Sequence, residues 1–365
     1  MSNLFSPITL RGGVRLANRI VMAPMTRSRA TEADELQTPF APEYYAQRAT
    51  AGLVITEATN ISREGKGYSK TPGVHTDAHQ EAWSAVASAV HEAVKGSVVF
   101  MQMWHVGRVS VQEVSGLQPV APSAVTAEGS VWVERADGWS GLVDCDAPRE
   151  LSVEDIDRIV GDFADAADRA VAAGMDGVEL HGANGYLIDQ FMRRGTNKRT
   201  DEFGGSLENR LRFLGRVTEA VAERIGADKV GVRLSPIVSF PDGGDDDIED
   251  TIVAAARLLD GHGIAYLHIA EYDYSWPEPI PVDPEFRKQL RSAFAGPIVV
   301  AGNYDRRRAD EVLETGLVDL VAFGRPFIGN PDLPARLRDG IALAESDRST
   351  WYGGGAEGYT DYPAV

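Results

Sequence analysis

The segment Gly177-Val178-Glu179-Leu180-His181-Gly182-Ala183-Asn184-Gly185-Tyr186 brings together three side chains able to do chemistry. A short apolar run ends in a glycine-punctuated turn that carries an imidazole, an amide and a phenol. His181 and Asn184 can each donate a hydrogen bond, and Tyr186 can donate a proton. Donors gathered at the mouth of a strand suit a substrate oxygen that gains negative charge during reaction. For a lone histidine a satisfied place in the core is the simpler reading. Two further polar groups and two glycines beside it favour a site.

Other strand ends carry a matching set: Pro24, Met25 and Thr26 after residues 20–23, Ala58 after Glu57, Gln102 and Trp104 within 98–104, and Arg233 within 230–235. An amide, a hydroxyl and a guanidinium suit the edge of a flat polar heterocycle, and Arg233 favours an electron-rich ring by stabilising negative charge. A surface salt bridge is the plainer role for Arg233, but its place inside Val230-Gly231-Val232-Arg233-Leu234 argues against that, because a buried charge needs a partner. Gly302, Asn303, Gly324 and Arg325 follow the last two strands, where barrels commonly hold phosphate through backbone N–H groups. Read alone, they could equally be ordinary turn glycines with a surface arginine.

These residues need a frame. Eight short runs, at 20–23, 53–59, 98–104, 177–181, 230–235, 266–270, 297–301 and 320–323, are apolar without alternation, as in parallel strands buried on both faces. Helical patterns cover 81–95, 153–173, 207–225, 248–261, 284–294 and 306–315; Ser152 starts the second and Gly174 ends it. The alternation predicts a (β/α)₈ TIM barrel, α/β in class, with active-site residues at the C-terminal ends of the strands. A doubly wound open sheet is the runner-up, weakened because no Gly-x-Gly-x-x-Gly follows an early strand.

Residues 5–18 read as a β-hairpin plug for the lower end, and 106–150 as a long hairpin-bearing lid after the third strand. One domain over residues 1–365 is expected. The stretch 351–363, rich in glycine and aromatics, reads by itself as a flexible tail. Residues 242–250 read as an acidic helix start. Tyr272, Tyr274 and Trp276 suit either a pocket rim or aromatic loop packing.

Composition narrows the class. Against 36 basic residues stand 54 acidic ones, a formal charge of −18 that disfavours nucleic acid and anionic membranes as partners. Cys145 is the only cysteine, so a disulfide framework, a zinc finger and a cysteine-held iron–sulfur cluster are excluded, and no metal site is expected. With no secretory pattern and no membrane-length apolar run, a cytoplasmic protein is expected.

The chain resembles the old yellow enzyme family of FMN-dependent ene-reductases. It is similar above all to the bacterial branch that contains N-ethylmaleimide reductase, pentaerythritol tetranitrate reductase and morphinone reductase. The resemblance rests on Asn18-Arg19-Ile20-Val21-Met22-Ala23-Pro24-Met25-Thr26-Arg27, Gln102-Met103-Trp104-His105-Val106-Gly107-Arg108, residues 181–191 and 199–210, Phe323-Gly324-Arg325 and the C-terminal segment. It implies that FMN is the cofactor and NADPH or NADH the reductant, in a monomer or homodimer that reduces activated alkenes. Given such a reductant, residues 242–250 have a second reading beside a helix start, repulsion of the extra phosphate of NADPH.

By the same resemblance, His181 and Asn184 grip the activating oxygen of the substrate and Tyr186 supplies the proton. Pro24, Met25, Thr26, Ala58, Gln102 and Arg233 surround the flavin ring, with His181 at its edge. Gly302, Asn303, Gly324 and Arg325 hold its phosphate, while Tyr68, Trp104 and Tyr352 line the substrate side. Met25, where some members have Cys, separates the chain from the thermophilic-like branch. Two alternatives need other evidence: a barrel glycoside hydrolase with Glu57 and Glu179 as paired carboxyls, and a flavin-binding protein without turnover.

Overall fold

The computed structural model describes residues 3–236, 245, 247–271 and 282–365. Eight parallel strands close on themselves: Ile20–Met22, Leu53–Ile55, Val99–Trp104, Gly177–Gly182, Val230–Leu234, Tyr266–Ala270, Ile298–Ala301 and Leu320–Phe323. The last pairs with the first, Val321 opposite Ile20, so the open-sheet alternative falls and the fold is a (β/α)₈ barrel. Nearly every strand residue is buried, which is why the runs lack alternation. The run 53–59 does not stay one strand. It ends at Ile55, turns its polar Glu57 inward, and resumes as the separate strand Thr59–Asn60.

Helices Asp77–Ala93, Val153–Ala172, Leu207–Ile225, Ile248–His262, Pro284–Ala293 and Arg306–Glu314 cover the outside of the barrel. Val153–Ala172 starts as its sequence predicts. The Ser152 hydroxyl accepts from the Asp155 N–H, and the Asp155 carboxylate accepts from the Ser152 N–H. Glu249 and Asp250 lie in the first turn of Ile248–His262, although residues 242–244 and 246 of that acidic stretch fall outside the described residues. So do Tyr272, Tyr274 and Trp276.

The N-terminal plug is a hairpin, Ile8–Thr9 antiparallel to Arg15–Leu16. Leu10 and Leu16 join a lower core with Val21, Leu53, Val98, Phe100 and Tyr266, sealing that end with apolar side chains. The excursion after the third strand contains a second hairpin, Ser130–Glu134 with Ser140–Asp144. Its buried Val131 and Val133 pack in one cluster with Trp104, Val106 and Tyr186. The lid thereby forms part of the wall behind the chemistry-bearing phenol. Each such fully buried aliphatic side chain contributes about 1.5–3 kcal/mol.

Candidate active site

The strand C-termini surround a cavity of about 660 Å³, within the ~300–1,000 Å³ range of cofactor and ligand sites. It is lined by Pro24, Met25, Thr26, Ala58, Gln102, Trp104, His181, Asn184, Tyr186, Arg233, Gly302, Asn303, Gly324, Arg325 and Tyr352. Every site residue expected from the sequence is on that wall except Tyr68. Tyr68 adjoins it, half-buried, with its hydroxyl 3.3 Å from that of Tyr186 and its ring stacked on Trp104 at 5.5 Å.

The turn that carries the three donors has a definite shape. Asn184 adopts φ 61° and Gly185 φ 83°, two successive left-handed residues that throw the chain sharply off its strand. The Ser235 hydroxyl accepts from the Asn184 N–H at 2.8 Å, and Asp189 accepts from the Gly185 N–H at 2.7 Å. Asp189 is itself fixed by a buried ion pair with Arg193 at 2.8 Å. The turn therefore hangs on the helix Leu187–Met192 that follows it. Tyr186 meets the rings of Trp104 and His181 edge-to-face, at 4.9 and 5.0 Å, which limits the phenol to a narrow range of positions.

His181 is 5% exposed, and its Nδ1 has no hydrogen-bond partner among the described residues. The buried indole N–H of Trp104 is in the same position. Orphaned buried polar atoms are costly, and both belong to residues that line the cavity. Burial, reinforced by Arg233 and His268, holds the imidazole well below its ordinary pKa of 6.5, so it is neutral near pH 7. A neutral ring still donates one hydrogen bond. Affinity for a neutral carbonyl ligand is therefore expected to stay level as pH crosses the ordinary imidazole range; a titration step near 6.5 in a binding isotherm series would contradict this.

On the opposite wall, Asn303 is also left-handed, at φ 53°, and Gly324 has φ −95° and ψ −93°. A Cβ on Gly324 would make only ordinary contact with the first-strand turn, 3.7 Å from Met25 Sδ. Arg325 begins the short helix Arg325–Gly329, which the sequence patterns did not suggest. The Arg325 guanidinium lies 5.8 Å from the Trp351 ring. No carboxylate lines the cavity among the described residues, whereas Arg27, Arg233, Arg325 and Arg348 do. In a chain of charge −18 this is a local basin for an anion.

The tail expectation is overturned. Arg29 donates to the backbone oxygens of Thr350, Trp351, Gly355 and Glu357, and Arg27 to those of Trp351 and Gly358. Tyr359 is fully buried, stacked 4.0 Å from Tyr44. Two arginines thus replace the missing secondary structure by binding carbonyls directly, and they bring Trp351 and Tyr352 to the cavity. Burial and the neighbouring Arg27 lower the Arg29 pKa to about 10, still charged near neutrality. Replacing Arg29 with Lys keeps the charge but loses the fork. The expected cost is about 2 kcal/mol in chemical denaturation, and an unchanged midpoint would show that the segment is held otherwise.

The glycosidase alternative fails on geometry. Glu57 accepts from the Gln37 amide at 2.9 Å and the Arg27 N–H at 3.1 Å, and burial raises its pKa. Glu179 is likewise sealed, accepting from Gln102, Tyr266 and His268. Neither carboxyl lines the cavity.

The chain is similar to known proteins along nearly its whole length. Residues 3–344 match the NADH:flavin oxidoreductase / NADH oxidase family. The chain is 44% identical over 373 residues to putative 12-oxophytodienoate reductase 5 of Oryza sativa subsp. japonica, covering 99% of this chain and 94% of the relative. It is 42% identical to 12-oxophytodienoate reductase 2 of Arabidopsis thaliana, covering 97% and 94%. Morphinone reductase, solved in complex with tetrahydroNAD, superposes with a TM-score of 0.93 at 48% identity, over 100% of this chain and 98% of that one. The old yellow enzyme homologue of Zymomonas mobilis superposes at 0.92 with 43% identity, over 100% of both chains. With the barrel, the anion-attracting cavity and these likenesses together, the chain belongs to the NADH:flavin oxidoreductase / NADH oxidase family and is an FMN-dependent oxidoreductase of the old yellow enzyme type.

Proposed function

We propose that this flavoenzyme reduces the C=C bond of activated alkenes such as enones, maleimides and nitroalkenes, with nitrate esters and nitroaromatics as further acceptors of the same polarised-oxygen class. The observation that carries the reading is that His181, Asn184 and Tyr186 line one cavity in which no carboxylate joins them among the described residues. The cavity residues suit FMN. Pro24, Met25, Thr26, Ala58, Gln102 and Arg233 would surround its ring, with His181 at the edge. Gly302, Asn303, Gly324 and Arg325 would hold its phosphate.

Bound FMN supplies the redox chemistry, accepting hydride from NADH or NADPH and delivering it to the β-carbon of the substrate. The chain contributes the electrostatics and the proton. His181 and Asn184 hydrogen-bond the carbonyl or nitro oxygen and stabilise the charge that builds there. Tyr186 protonates the α-carbon, with Tyr68 beside its hydroxyl and Trp104 and Tyr352 bounding the substrate. The reading takes the reductant and the alkene to use the same site in turn, a ping-pong order. Anaerobic reduction with each nicotinamide, followed by mixing with activated alkenes and their saturated analogues, tests this. Reoxidation by the alkenes alone supports the proposal, and reoxidation by neither class refutes it.

A further inference from the structure

One buried polar group at the heart of the barrel has no part in the chemistry above. Glu179 is fully buried one layer below His181, on the same face of the fourth strand because side chains alternate with period two. Its Oε1 accepts from Gln102 Nε2 at 2.8 Å, and its Oε2 from the Tyr266 hydroxyl at 3.1 Å and from His268 Nδ1 at 2.8 Å. The sheet register arranges this. Gln102 and Gly231 both lie opposite Glu179, Tyr266 lies opposite Gly231, and His268 opposite Arg233. A Cβ on Gly231 would come within 2.2 Å of Tyr266 Cζ. The glycine leaves the passage through which the phenol reaches the carboxylate.

An ionised carboxylate only accepts hydrogen bonds, so the end of Gln102 that meets Glu179 must be its NH₂. The amide oxygen is then the end left for the cavity that Gln102 lines. Burial opposes the charge on Glu179, but His268, Arg233 and Gln102 outweigh it and hold the carboxyl below its ordinary range. Burial pulls His268 below the ordinary imidazole range against the opposing attraction of Glu179, whose carboxylate its Nδ1 meets at 2.8 Å. The negative charge of Glu179 therefore stands against the positive charge of Arg233 across adjacent strands.

We propose that Glu179 is a positioning residue for the flavin: it locks the Gln102 amide with its oxygen toward the ring and offsets the charge of Arg233, and so sets the reduction potential of the bound FMN. The proposal rests on the reading of Gln102 and Arg233 as flavin contacts. Two-electron reduction places additional electron density on the ring, so a nearby negative charge disfavours the reduced form and a positive one favours it. Glu179→Gln keeps the shape and removes the charge. Its carboxamide also presents both donor and acceptor, which frees Gln102 to turn over.

The test is spectroelectrochemical titration of the FMN-loaded protein against a reference dye. Glu179→Gln is expected to raise the ratio of reduced to oxidised flavin at a fixed potential about ten-fold, a rise of ~30 mV for a two-electron couple. Glu179→Asp, which retains the charge, is expected to stay within about two-fold of the parent. Arg233→Gln separates the two ideas, because it should lower the ratio wherever Arg233 adjoins the ring. A shift with Arg233→Gln but none with Glu179→Gln overturns the role of Glu179 alone; no shift with either overturns the flavin seat as well. If Glu179→Gln is not recovered folded, Tyr266→Phe serves. It removes one donor and leaves the charge less shielded, so the ratio should fall about three-fold, and a rise or no change overturns the proposal.

Discussion

Replacing Tyr186 with Phe is expected to slow alkene reduction by roughly 10²–10⁴-fold, the usual contribution of a positioned general acid, while flavin reduction by NAD(P)H stays nearly unchanged. The substitution removes one oxygen from a ring already held by Trp104 at 4.9 Å and His181 at 5.0 Å, so the cavity should keep its shape. Tyr186 is 8% exposed and packs in the core shared with the lid, which leaves water little access to act as a substitute donor. Tyr68, 3.3 Å from the lost hydroxyl, is the other phenol at hand, yet it is not among the residues that line the cavity. Stopped-flow absorbance resolves the two half-reactions. Equal slowing of both would mean that the phenol shapes the cavity instead of donating a proton.

Replacing His181 with Ala is expected to weaken phenolic and enone ligands and to lower the rate of their reduction by about 10²-fold, some 3 kcal/mol for one fixed donor. The magnitude follows from burial. In the low dielectric around a 5% exposed imidazole, a hydrogen bond to developing charge is worth more than in water. Asn184 should behave similarly but is not independent, since both would hydrogen-bond the same oxygen, and the double variant is expected to lose less than the sum. Ligand titrations followed in the flavin spectrum measure the effect. Unchanged affinity in the His181 variant would remove it from the oxygen-binding role.

Most of the frame was legible in the sequence, because strands buried on both faces leave continuous apolar runs that few other structures require. The runs 266–270 and 320–323 coincide with strands, as does 207–225 with its helix. The cavity wall was legible for a related reason: in a barrel, residues just past strand ends converge, so listing them nearly lists the site. The C-terminal segment was not. Gly353, Gly354 and Gly358 with positive φ look locally like a loose end. What orders them is Arg27 and Arg29, more than 300 residues earlier in the chain. No local pattern announces such a contact. Arg348, on the cavity wall, belongs to that same segment, whereas Tyr304 directly follows Asn303 and could have been read with the seventh strand end.

The role of Glu179 was half visible. Its spacing from His181 put both on one face, but its three partners come from the third and sixth strands and depend on a register that only the closed sheet defines. A histidine inside Tyr266-Leu267-His268-Ile269-Ala270 was the available signal, since a buried polar group in an apolar strand must have a partner.

The central claim is that one cavity delivers hydride and proton to different carbons of the same double bond. Reduction of a cyclic enone in deuterated water with unlabelled NAD(P)H, and in ordinary water with nicotinamide deuterated at C4, tests it by NMR of the product. Solvent deuterium confined to the α-carbon and nicotinamide deuterium confined to the β-carbon is the predicted pattern. Label from either source distributed over both carbons, or deuterium on the oxygen-bearing carbon, would contradict the account.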